Sequence, residues 1–410
     1  MKVLVLNCGS SSVKFQLVLT DEASAAAGTD RALAKGLVEN IGGTAILRYE
    51  AEGRSPVKET AEILEHKIAV ERVLALLTRE ETGVLRDRGE IEAVGHRMVH
   101  GGEHFKASAR IDDEVLHAIE DCFDIAPLHN PPNVKGYRAA HDLLRDVPHV
   151  AVFDTSFHQT MDQVAFLYAL PYVLYERHGI RRYGFHGTSH RYVSRRSAER
   201  LGRLADPGLR VVTCHLGNGC SVAAIRGGRS VDTSMGFTPL EGLMMGSRSG
   251  DLDPAILLHV MAKEELGAAE LNALLNKHSG LIGVSGLSND MRKLLEAEEA
   301  GNERARLAVD IFCYRLRKYV AAYVGVLGGL DALVFTGGIG ENAPAVRARA
   351  VTGLDAMGIT VDPARNAEVR GREGDVSPEG AACRVQVIPT NEELLIARDT
   401  CRIVCGLPLA

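Results

Sequence analysis

The first residues that could do chemistry are Gly9–Ser12, a Gly-Ser-Ser-Ser turn close to the start of the chain. A glycine turn exposes backbone N–H groups and serine hydroxyls add donors, so such a segment can form a concave anion site. Lys14 adds a point charge able to reach a phosphate. Taken alone, the turn fits an ordinary polar hairpin better, because it is not the Walker sequence and no helix follows it.

Two more glycine-rich segments follow strands later in the chain, His215-Leu216-Gly217-Asn218-Gly219 and Gly337–Asn342. Asn-Gly is by itself a strong hairpin signal, and a close-packed strand-to-helix turn explains the later segment equally well. Three such elements on three strands nevertheless predict a two-sided cleft. Two of the elements would hold a phosphate chain from opposite sides, and the third would contact the nucleoside.

Two arginines lie in glycine-containing segments, Arg97 within 95–102 and Arg248 within 245–254. A guanidinium in such a place can face a ligand and bind phosphoryl oxygens with two hydrogen bonds. A solvent-exposed loop arginine is the simpler explanation of either one alone. Two such segments together favour an anionic ligand.

Carboxylates occupy two positions suited to a ligand site. Asp154 follows the strand 150–153, and the carboxyl ends of strands commonly border ligand clefts; a helix N-cap is the alternative for Asp154. Glu392 and Glu393 precede the last predicted helix, where they suit the positive helix N-terminus. Alternatively, one of them holds a magnesium ion directly or through water.

Histidine and cysteine spacing argues against a zinc protein. His186 and His190 are four residues apart, but no HExxH sequence accompanies them. The eight cysteines form no CxxC pair, so neither a zinc site nor a disulfide framework is expected. Small, buried, apolar cysteines in a reducing cytoplasm explain them better.

The elements that must position these residues are strands and helices in alternation. Strands are predicted at 2–7, 13–19, 150–153, 211–216, 221–225 and 332–336. Helical patterns cover 62–79, 113–123, 189–202, 254–277, 290–299, 303–327 and 394–404. The strand-turn-strand unit around Gly9–Ser12 returns around Gly217–Gly219, about half a chain later, which suggests a duplicated domain. The prediction is an α/β protein.

The chain's 410 residues suggest two to three domains. We place a boundary soon after residue 154 and expect the last helix to return to the first domain. The predicted domains are therefore 1–154 with about 393–410, and 155–392. The polar segment 362–380 is expected to form surface loops.

Composition excludes several functions. The net charge is −6 and no long basic run occurs, which argues against a nucleic-acid partner. The apolar run at the N-terminus is too short for a signal peptide, and no stretch approaches the roughly 18 apolar residues of a membrane span. The sequence thus predicts a cytoplasmic protein with no membrane partner.

Taken in order, these motifs resemble those of the acetokinase family, within the larger group of sugar-kinase, actin and heat-shock-chaperone ATPase folds. The resemblance runs from residue 3 to about 404. It rests on NCGSSSVKF, GHRMVHGG, APLHNPPN, FDTSFHQTM, YGFHGTSH, HLGNGCSV, DTSMGFTPLEGLMMGSRSGDLDP, FTGGIGENA and PTNEEL.

The resemblance implies two duplicated ribonuclease-H-like (actin-like ATPase) domains flanking a nucleotide cleft. It also implies a homodimer, ATP or ADP as co-substrate, and magnesium as the metal, with manganese as a substitute. The implied reaction is direct phosphoryl transfer between ATP and acetate.

The resemblance also implies roles for individual residues. Asn7 and Glu392 would place the magnesium, and Arg97 would hold the acyl carboxylate or phosphate. Asp154 would be the catalytic acid/base residue, while His186 and Arg248 would stabilise the transition state. The small pocket for the acyl methyl would consist of Val99, Leu128, Phe185 and Pro239. The nucleotide-binding residues would be Lys14, His215, Leu216, Gly217, Asn218, Gly219, Asp290, Met291, Arg292, Gly338, Ile339, Gly340, Glu341 and Asn342.

Physical chemistry modifies one of these roles. A carboxylate substrate is already an anion at neutral pH, so it needs no base, and phosphoryl transfer mainly needs positioning and charge stabilisation. Asp154 is therefore expected to organise Arg97 or the metal. Apolar pockets discriminate one methylene by only about 1–3 kcal/mol, which leaves a propionate- or butyrate-preferring kinase as an alternative. An ATP-driven conformational machine, related to the chaperone ATPases, is a further alternative.

Overall fold

The structure is a computed structural model that describes residues 1–409. Within these residues, fourteen strands form two sheets. In chain order the strands are β1 (Lys2–Cys8), β2 (Ser12–Leu19), β3 (Arg31–Glu39), β4 (Gly43–Ala51), β5 (Val57–Ile63), β6 (Ala93–Met98), β7 (Ala109–Arg110), β8 (His149–Phe153), β9 (Arg210–Leu216), β10 (Cys220–Arg226), β11 (Arg229–Thr233), β12 (Ala332–Thr336), β13 (Gly374–Asp375) and β14 (Arg384–Val387).

Sixteen α-helices lie in the same range of residues. They are α1 (Glu22–Ala27), α2 (His66–Thr78), α3 (Asp113–Glu120), α4 (Asn130–Leu143), α5 (Gln163–Phe166), α6 (Tyr172–His178), α7 (Gly187–Arg200), α8 (Ala255–Lys263), α9 (Ala268–Lys277), α10 (Gly280–Ser285), α11 (Met291–Glu299), α12 (Glu303–Leu327), α13 (Gly337–Asn342), α14 (Pro344–Val351), α15 (Pro363–Glu368) and α16 (Glu392–Val404). Short 3₁₀ helices cover Arg88–Glu90, Asp121–Phe123, Ser156–Thr160 and Asp355–Met357.

The chain divides into two compact units. Unit 1 comprises residues 1–157 and 391–410, and unit 2 comprises residues 158–390. The sheet of unit 1 has the order β5-β4-β3-β2-β1-β6-β8-β7, and that of unit 2 has the order β11-β10-β9-β12-β14-β13.

Both sheets contain the same five-strand arrangement. In unit 1 it is β3-β2-β1-β6-β8, with β1, β6 and β8 parallel and the first three strands antiparallel. In unit 2 it is β11-β10-β9-β12-β14, with the same directions. The predicted α/β class and its duplicated ribonuclease-H-like topology are thus confirmed. The Gly9–Ser11 and Gly217–Gly219 turns occupy the same place, between the first two strands of each arrangement.

The core of unit 1 lies on both faces of its sheet. Buried residues of α2 and α4 pack with those of β1 to β5 on one face. Residues of α16 cover the other face, where Ile396 and Ala397 contact the side chains of β1 and β8. Gly95 permits this approach, because a Cβ there would lie 2.5 Å from the Thr400 hydroxyl oxygen.

The longest helix of unit 2 is α12, which begins at an Asn302 N-cap and ends at Gly328 in the left-handed conformation. Its apolar residues recur at helical spacing, so one stripe is buried: Ala305, Ala308, Val309, Phe312, Cys313, Leu316, Val320, Tyr323 and Leu327. The two caps and the buried apolar stripe agree with the helix predicted over 303–327.

Four expectations about local structure were wrong. The helix expected over 254–277 is two helices, α8 and α9, because Glu265 adopts a left-handed φ of 55° between them. The pattern at 62–79 begins with the end of β5, and α2 starts only at His66. The third glycine-rich segment is itself the helix α13, and the expected loop 362–380 contains α15 and β13.

The cysteines are mostly buried, as the sequence predicted. Of the eight cysteines, all free, only Cys405 is exposed. Among residues 1–409, no helix combines the length and apolar character that a membrane crossing requires.

Candidate active site

The first group of predicted site residues meets at the carboxyl ends of two parallel strands of unit 1. Arg97 is the fifth residue of β6, and Asp154 directly follows β8, its parallel neighbour. Nε and Nη2 of Arg97 donate to the two Asp154 carboxylate oxygens, at 3.1 and 2.6 Å. Nη1 donates to Oδ1 of Asn7 at 3.3 Å. Arg97 therefore lies on a strand and not in the predicted loop, and Asp154 is no helix N-cap.

Burial and charge act in opposite directions on Arg97. Burial by itself lowers its pKa, but the Asp154 carboxylate outweighs burial and holds the pKa above its usual value. The guanidinium is thus a permanent cation. Its side chain keeps 22% exposure, against 2% for Asp154. A guanidinium has five N–H groups, and three are engaged, which leaves two for a ligand.

Two acidic residues at the start of α16 lie near this pair. Lys14 forms an ion pair with Glu393 at 2.6 Å. The pKa of Glu392 is raised to about 7, first by burial and then by the neighbouring carboxylates, while Arg97 and Lys14 oppose the shift. Within residues 1–409, the Glu392 carboxylate makes no hydrogen bond or ion pair. A carboxylate that lacks a protein partner and lies near other carboxylates suits a cation.

Two asparagines that the sequence motifs contained, but to which no role was assigned, hold the backbone beside Arg97. Asn133 accepts from the backbone N–H of Val99 at 3.0 Å and donates to the carbonyl of Cys8 at 2.6 Å. Asn130 bonds both the N–H and the carbonyl of His100. Both asparagines are buried on α4. The Asn-Pro-Pro-Asn sequence was the available signal, since polar side chains in a buried helix face need partners.

The second group of predicted residues meets at the Gly217–Gly219 turn of unit 2. A Cβ placed on Gly219 would lie 3.6 Å from Nη1 of Arg248 and 3.6 Å from Nε2 of His186. Nη1 of Arg248 also donates to the Pro239 carbonyl at 3.2 Å. No carboxylate pairs with Arg248 in the described part of the chain, and burial lowers its pKa. The turn thus faces a guanidinium whose charge lacks a counter-ion, a favourable place for an anion.

His186 has an unusual backbone. Its φ of 57° lies in the left-handed region, where non-glycine residues are uncommon, and it immediately precedes α7. Its ring stacks on that of His215 with centroids 4.2 Å apart, and its Nδ1 lies 2.9 Å from the hydroxyl of Ser221. Such backbone strain persists where the surrounding structure holds it, often at functional sites.

The loop that carries Arg248 is held by an ion pair that the sequence did not point to. Arg182 binds the Glu241 carboxylate at 2.5 Å and donates to the carbonyls of Thr233 and Ser234. The Tyr168 hydroxyl donates to the second Glu241 oxygen. These contacts fix the start of the segment 233–251, which runs on to Arg248.

A cavity of about 1140 Å³ in unit 2 collects much of the predicted nucleotide set. Predicted residues that line it are Gly217, Asn218, Asp290, Met291, Arg292, Gly338, Ile339 and Asn342. Other residues that line the cavity were not predicted from the sequence, among them Asn289, Leu295, Arg349 and Arg370. Asn289 donates to the Asn218 side chain at 3.3 Å, which joins two of the cavity's loops.

Other predicted nucleotide residues have protein partners. Nδ1 of His215 lies 2.8 Å from the Ser189 hydroxyl. Glu341 accepts from the backbone N–H of Gly337 at 2.8 Å. The Gly340 carbonyl accepts from Arg347, which is fully buried and donates to four carbonyls and one amide oxygen around α13. Leu216 is buried in β9.

The four residues predicted for the acyl pocket belong to both units. In unit 1, Val99 is buried, whereas Leu128 is 61% exposed. In unit 2, Phe185 is buried and Pro239 is half-buried. Among residues 1–409, no cluster of three or more histidine, cysteine or acidic residues could hold a metal ion by itself.

Comparison with known proteins gives consistent results over almost the whole chain. The sequence model of the Acetokinase family matches residues 2–398. A relative named acetate kinase, from Caldanaerobacter subterraneus subsp. tengcongensis, is 51% identical over 409 residues, covering 99% of this chain and 100% of the relative.

Two solved structures are also similar. The crystal structure of Porphyromonas gingivalis acetate kinase has a TM-score of 0.92 and 47% identity, covering 98% of this chain and 99% of that one. A propionate kinase from Francisella tularensis subsp. tularensis has a TM-score of 0.89 and 40% identity, covering 99% and 100%.

Proposed function

Because the chain belongs to the acetokinase family, we propose that it catalyses reversible phosphoryl transfer between ATP and acetate, giving ADP and acetyl phosphate. The observation that carries the proposal is the Arg97–Asp154 pair, a fixed guanidinium with N–H groups left for an anionic acceptor. Relatives named acetate kinase, which are 51% and 53% identical in sequence to this chain, support acetate as the acceptor.

The acceptor is proposed to bind in unit 1. Two free N–H groups of Arg97 match the two oxygens of a carboxylate or acyl phosphate. Val99 lies two residues further on, with its backbone fixed by Asn133, and offers an apolar surface for the methyl group. Leu128, Phe185 and Pro239 are proposed to complete the acyl pocket.

Asp154 is proposed to act as a positioning residue. Both of its oxygens accept from Arg97, and its side chain is only 2% exposed. Acetate carries its charge before it binds, so no proton has to be removed from it. Asp154 fixes the plane of the guanidinium and thereby the direction of the two free N–H groups.

The nucleotide is proposed to bind in the cavity of unit 2. The segments 217–218 and 289–292 line it together with helix α13, and glycine at 217 and 338 lets a ligand approach the backbone. His215, Leu216, Gly219, Gly340 and Glu341 are proposed to support these segments. Lys14 is proposed to contact the phosphates.

Charge stabilisation is proposed to come from His186 and Arg248. The transferred phosphoryl group carries its charge on equatorial oxygens, and positioned donors are the main contribution a protein makes to this reaction. Both side chains lie beside Gly219, and Arg248 brings a positive charge without a carboxylate partner.

Magnesium is the proposed metal, with manganese as a substitute, and the residues of unit 1 fit it. Magnesium needs only one or two protein carboxylates, because waters and phosphates supply its other ligands. Within residues 1–409, Glu392 has no protein partner and its pKa is raised, and Asn7 contributes an amide oxygen in the same unit. When bound, the ion would neutralise phosphate charge.

One assay tests the proposed reaction. ATP turnover is measured with acetate, propionate, butyrate or no acid, and the acyl phosphate is trapped with hydroxylamine. We expect the highest kcat/KM with acetate. ATP hydrolysis that no acid affects would contradict the kinase and support a chaperone-like ATPase. Propionate is the second candidate, because a propionate kinase shares the fold at 40% identity.

A homodimer in the cytoplasm is part of the same proposal. Helix α8 has the sequence AILLHVMAK, yet none of its residues is buried, and Leu258 and Ile256 are 72% and 49% exposed. An apolar helix without cover marks an interface, and a second copy of this chain is the proposed cover. Leu258→Glu should shift the molecular mass measured by light scattering to that of a monomer. An unchanged mass would contradict this interface.

A further inference from the structure

Ser221 lies between two imidazole rings in unit 2. Its hydroxyl oxygen is 2.9 Å from Nδ1 of His186 and 2.7 Å from Nε2 of His190. The other nitrogen of His190, Nδ1, lies 2.7 Å from the hydroxyl oxygen of Thr213. The side chains of Ser221, His190 and Thr213 are fully buried. Four polar groups thus form one continuous chain of hydrogen bonds that ends at His186.

The number of hydrogens available for donation limits how this chain of hydrogen bonds is arranged. Burial, reinforced by the neighbouring rings of His158 and His215, holds the pKa of His190 well below its usual value, so that ring is neutral. A neutral imidazole has one N–H and one acceptor nitrogen. The single hydroxyl hydrogen of Ser221 can be donated to one ring only, so the other ring must donate to Ser221.

Thr213 decides the direction. Among residues 1–409, its hydroxyl has His190 as its sole side-chain partner. If His190 carried its hydrogen on Nδ1, it would donate to Thr213, and the Thr213 hydrogen would be buried without an acceptor, which is costly. In the opposite order every hydrogen has an acceptor. Thr213 donates to Nδ1 of His190, Nε2–H of His190 donates to Ser221, and Ser221 donates to Nδ1 of His186.

We propose that Thr213, His190 and Ser221 are positioning residues that keep the hydrogen of neutral His186 on Nε2. This nitrogen lies beside Gly219, as does Nη1 of Arg248. His186 can then donate a hydrogen bond to a phosphoryl oxygen without first becoming a cation. The inference rests on the proposed function, since it deepens the role given to His186.

The charged and titratable groups around His186 come from four directions. His215 on β9 stacks on its ring, His190 on α7 reaches it through Ser221, and Arg248 lies beside Gly219. Cys220 precedes Ser221, and burial raises the pKa of its thiol to about 12, so it carries no charge near neutrality. Arg248 therefore supplies the permanent charge, and it disfavours a second positive charge on His186.

The consequence is a particular pH dependence. In the native protein, kcat should change little between about pH 6 and about pH 8, because His186 carries Nε2–H whether it is neutral or protonated. Ser221→Ala removes the hydroxyl that bonds Nδ1 of His186, so the position of the hydrogen on the neutral ring loses this constraint. We expect kcat of this variant to fall about tenfold or more at about pH 8 and by less as the pH is lowered, because a protonated His186 ring carries hydrogens on both nitrogens.

Two further variants separate positioning from stability. Thr213→Val removes the first donor of the chain and should give the same pH-dependent loss to a smaller extent. Ser197→Ala is the matched control, because it removes a buried hydroxyl of α7 that bonds Gln386 at 2.7 Å, away from this chain. Its pH profile should run parallel to that of the native protein. Losses in Ser221→Ala that are equal at both pH values would overturn the inference.

The tautomer can also be observed directly in the native protein. Nitrogen-15 NMR of histidine-labelled protein distinguishes Nδ1–H from Nε2–H, and His186→Gln and His190→Gln assign the two signals. Both rings should be Nε2–H tautomers above their pKa. An Nδ1–H signal for either ring overturns the donor order, even if Ser221→Ala fails to fold. Absence of acetate-dependent turnover in the native protein would instead overturn the proposed function.

Discussion

Replacing Asp154 by asparagine changes one charge and one hydrogen-bonding group in a contact of defined geometry. Asp154 accepts from Nε of Arg97 at 3.1 Å and from Nη2 at 2.6 Å. Asparagine keeps one oxygen acceptor, but its amide NH₂ then faces an N–H of the guanidinium. One of the two hydrogen bonds is lost, and Arg97 loses its closest counter-charge. The guanidinium is then free to turn away from an acceptor.

The size of the effect follows from the burial of the pair. A hydrogen bond to a charged group contributes about 1.5–3 kcal/mol, and breaking a buried ion pair by removing one partner costs about 3–5 kcal/mol. Because Arg97 keeps 22% exposure, the lower part of this range applies. A loss of about 3 kcal/mol of transition-state stabilisation corresponds to a factor of about 10² in kcat/KM for acetate.

The assay measures kcat and KM for acetate at saturating ATP and magnesium, together with urea unfolding. Asp30→Asn is the matched control, since Asp30 pairs with Arg398 in the same unit at 2.6 Å, with side-chain exposures of 2% and 17%. Both variants should lose similar stability, and only Asp154→Asn should lose kcat/KM. Near-native turnover in Asp154→Asn, or equal kinetic losses in both variants, would refute the positioning role.

Arg248→Ala should lower kcat about 10²–10³-fold, since it removes a charged donor beside Gly219; a loss under about threefold in steady-state kinetics would contradict this. Glu392→Gln should raise the magnesium concentration for half-maximal activity about tenfold or more. An unchanged magnesium titration would argue against Glu392 as a ligand. The third expectation concerns stability, because burial lowers the pKa of His149 to about 4, against about 6.5 when unfolded. The fold therefore favours the neutral ring, so the stabilisation is complete above about pH 6.5 and is lost towards pH 4, by up to about 1.4 kcal/mol per pH unit. Urea unfolding at several pH values should show this slope and show it reduced in His149→Phe; identical slopes would refute it.

Local chemistry made much of the fold predictable. The apolar runs around Gly9–Ser12 and around Gly217–Gly219 predicted two strand-turn-strand units, and both exist as antiparallel pairs. The helical pattern over 303–327 likewise corresponds to α12. Such features depend on residues close together in the chain, where conformational preferences act directly. The predicted helix over 254–277 failed because the helix breaks between α8 and α9, where Glu265 has a left-handed backbone and Gly267 is the N-cap of α9. Gly267 was the available signal, since glycine weakens a helix interior.

The sequence indicated which residue types the candidate site contains, but not the contacts between them. The motifs contained Arg97 and Asp154, but their pairing follows from the parallel alignment of β6 and β8, which joins residues 57 positions apart. The sequence also suggested a loop for Arg97, whereas a strand fixes the guanidinium more firmly. Asn133 received no role, because its partners Val99 and Cys8 come from distant segments.

By itself, the sequence determined the α/β class, the two repeated units and the chemical groups available for an anionic ligand. These depend on composition, period and spacing, which act along the chain. Only the tertiary structure decided which of these groups meet. Strand pairing and the packing of α7 bring His186 and Ser221 together across 35 positions. Burial then forces each donor to find an acceptor, and this long-range constraint leaves no mark on the local sequence.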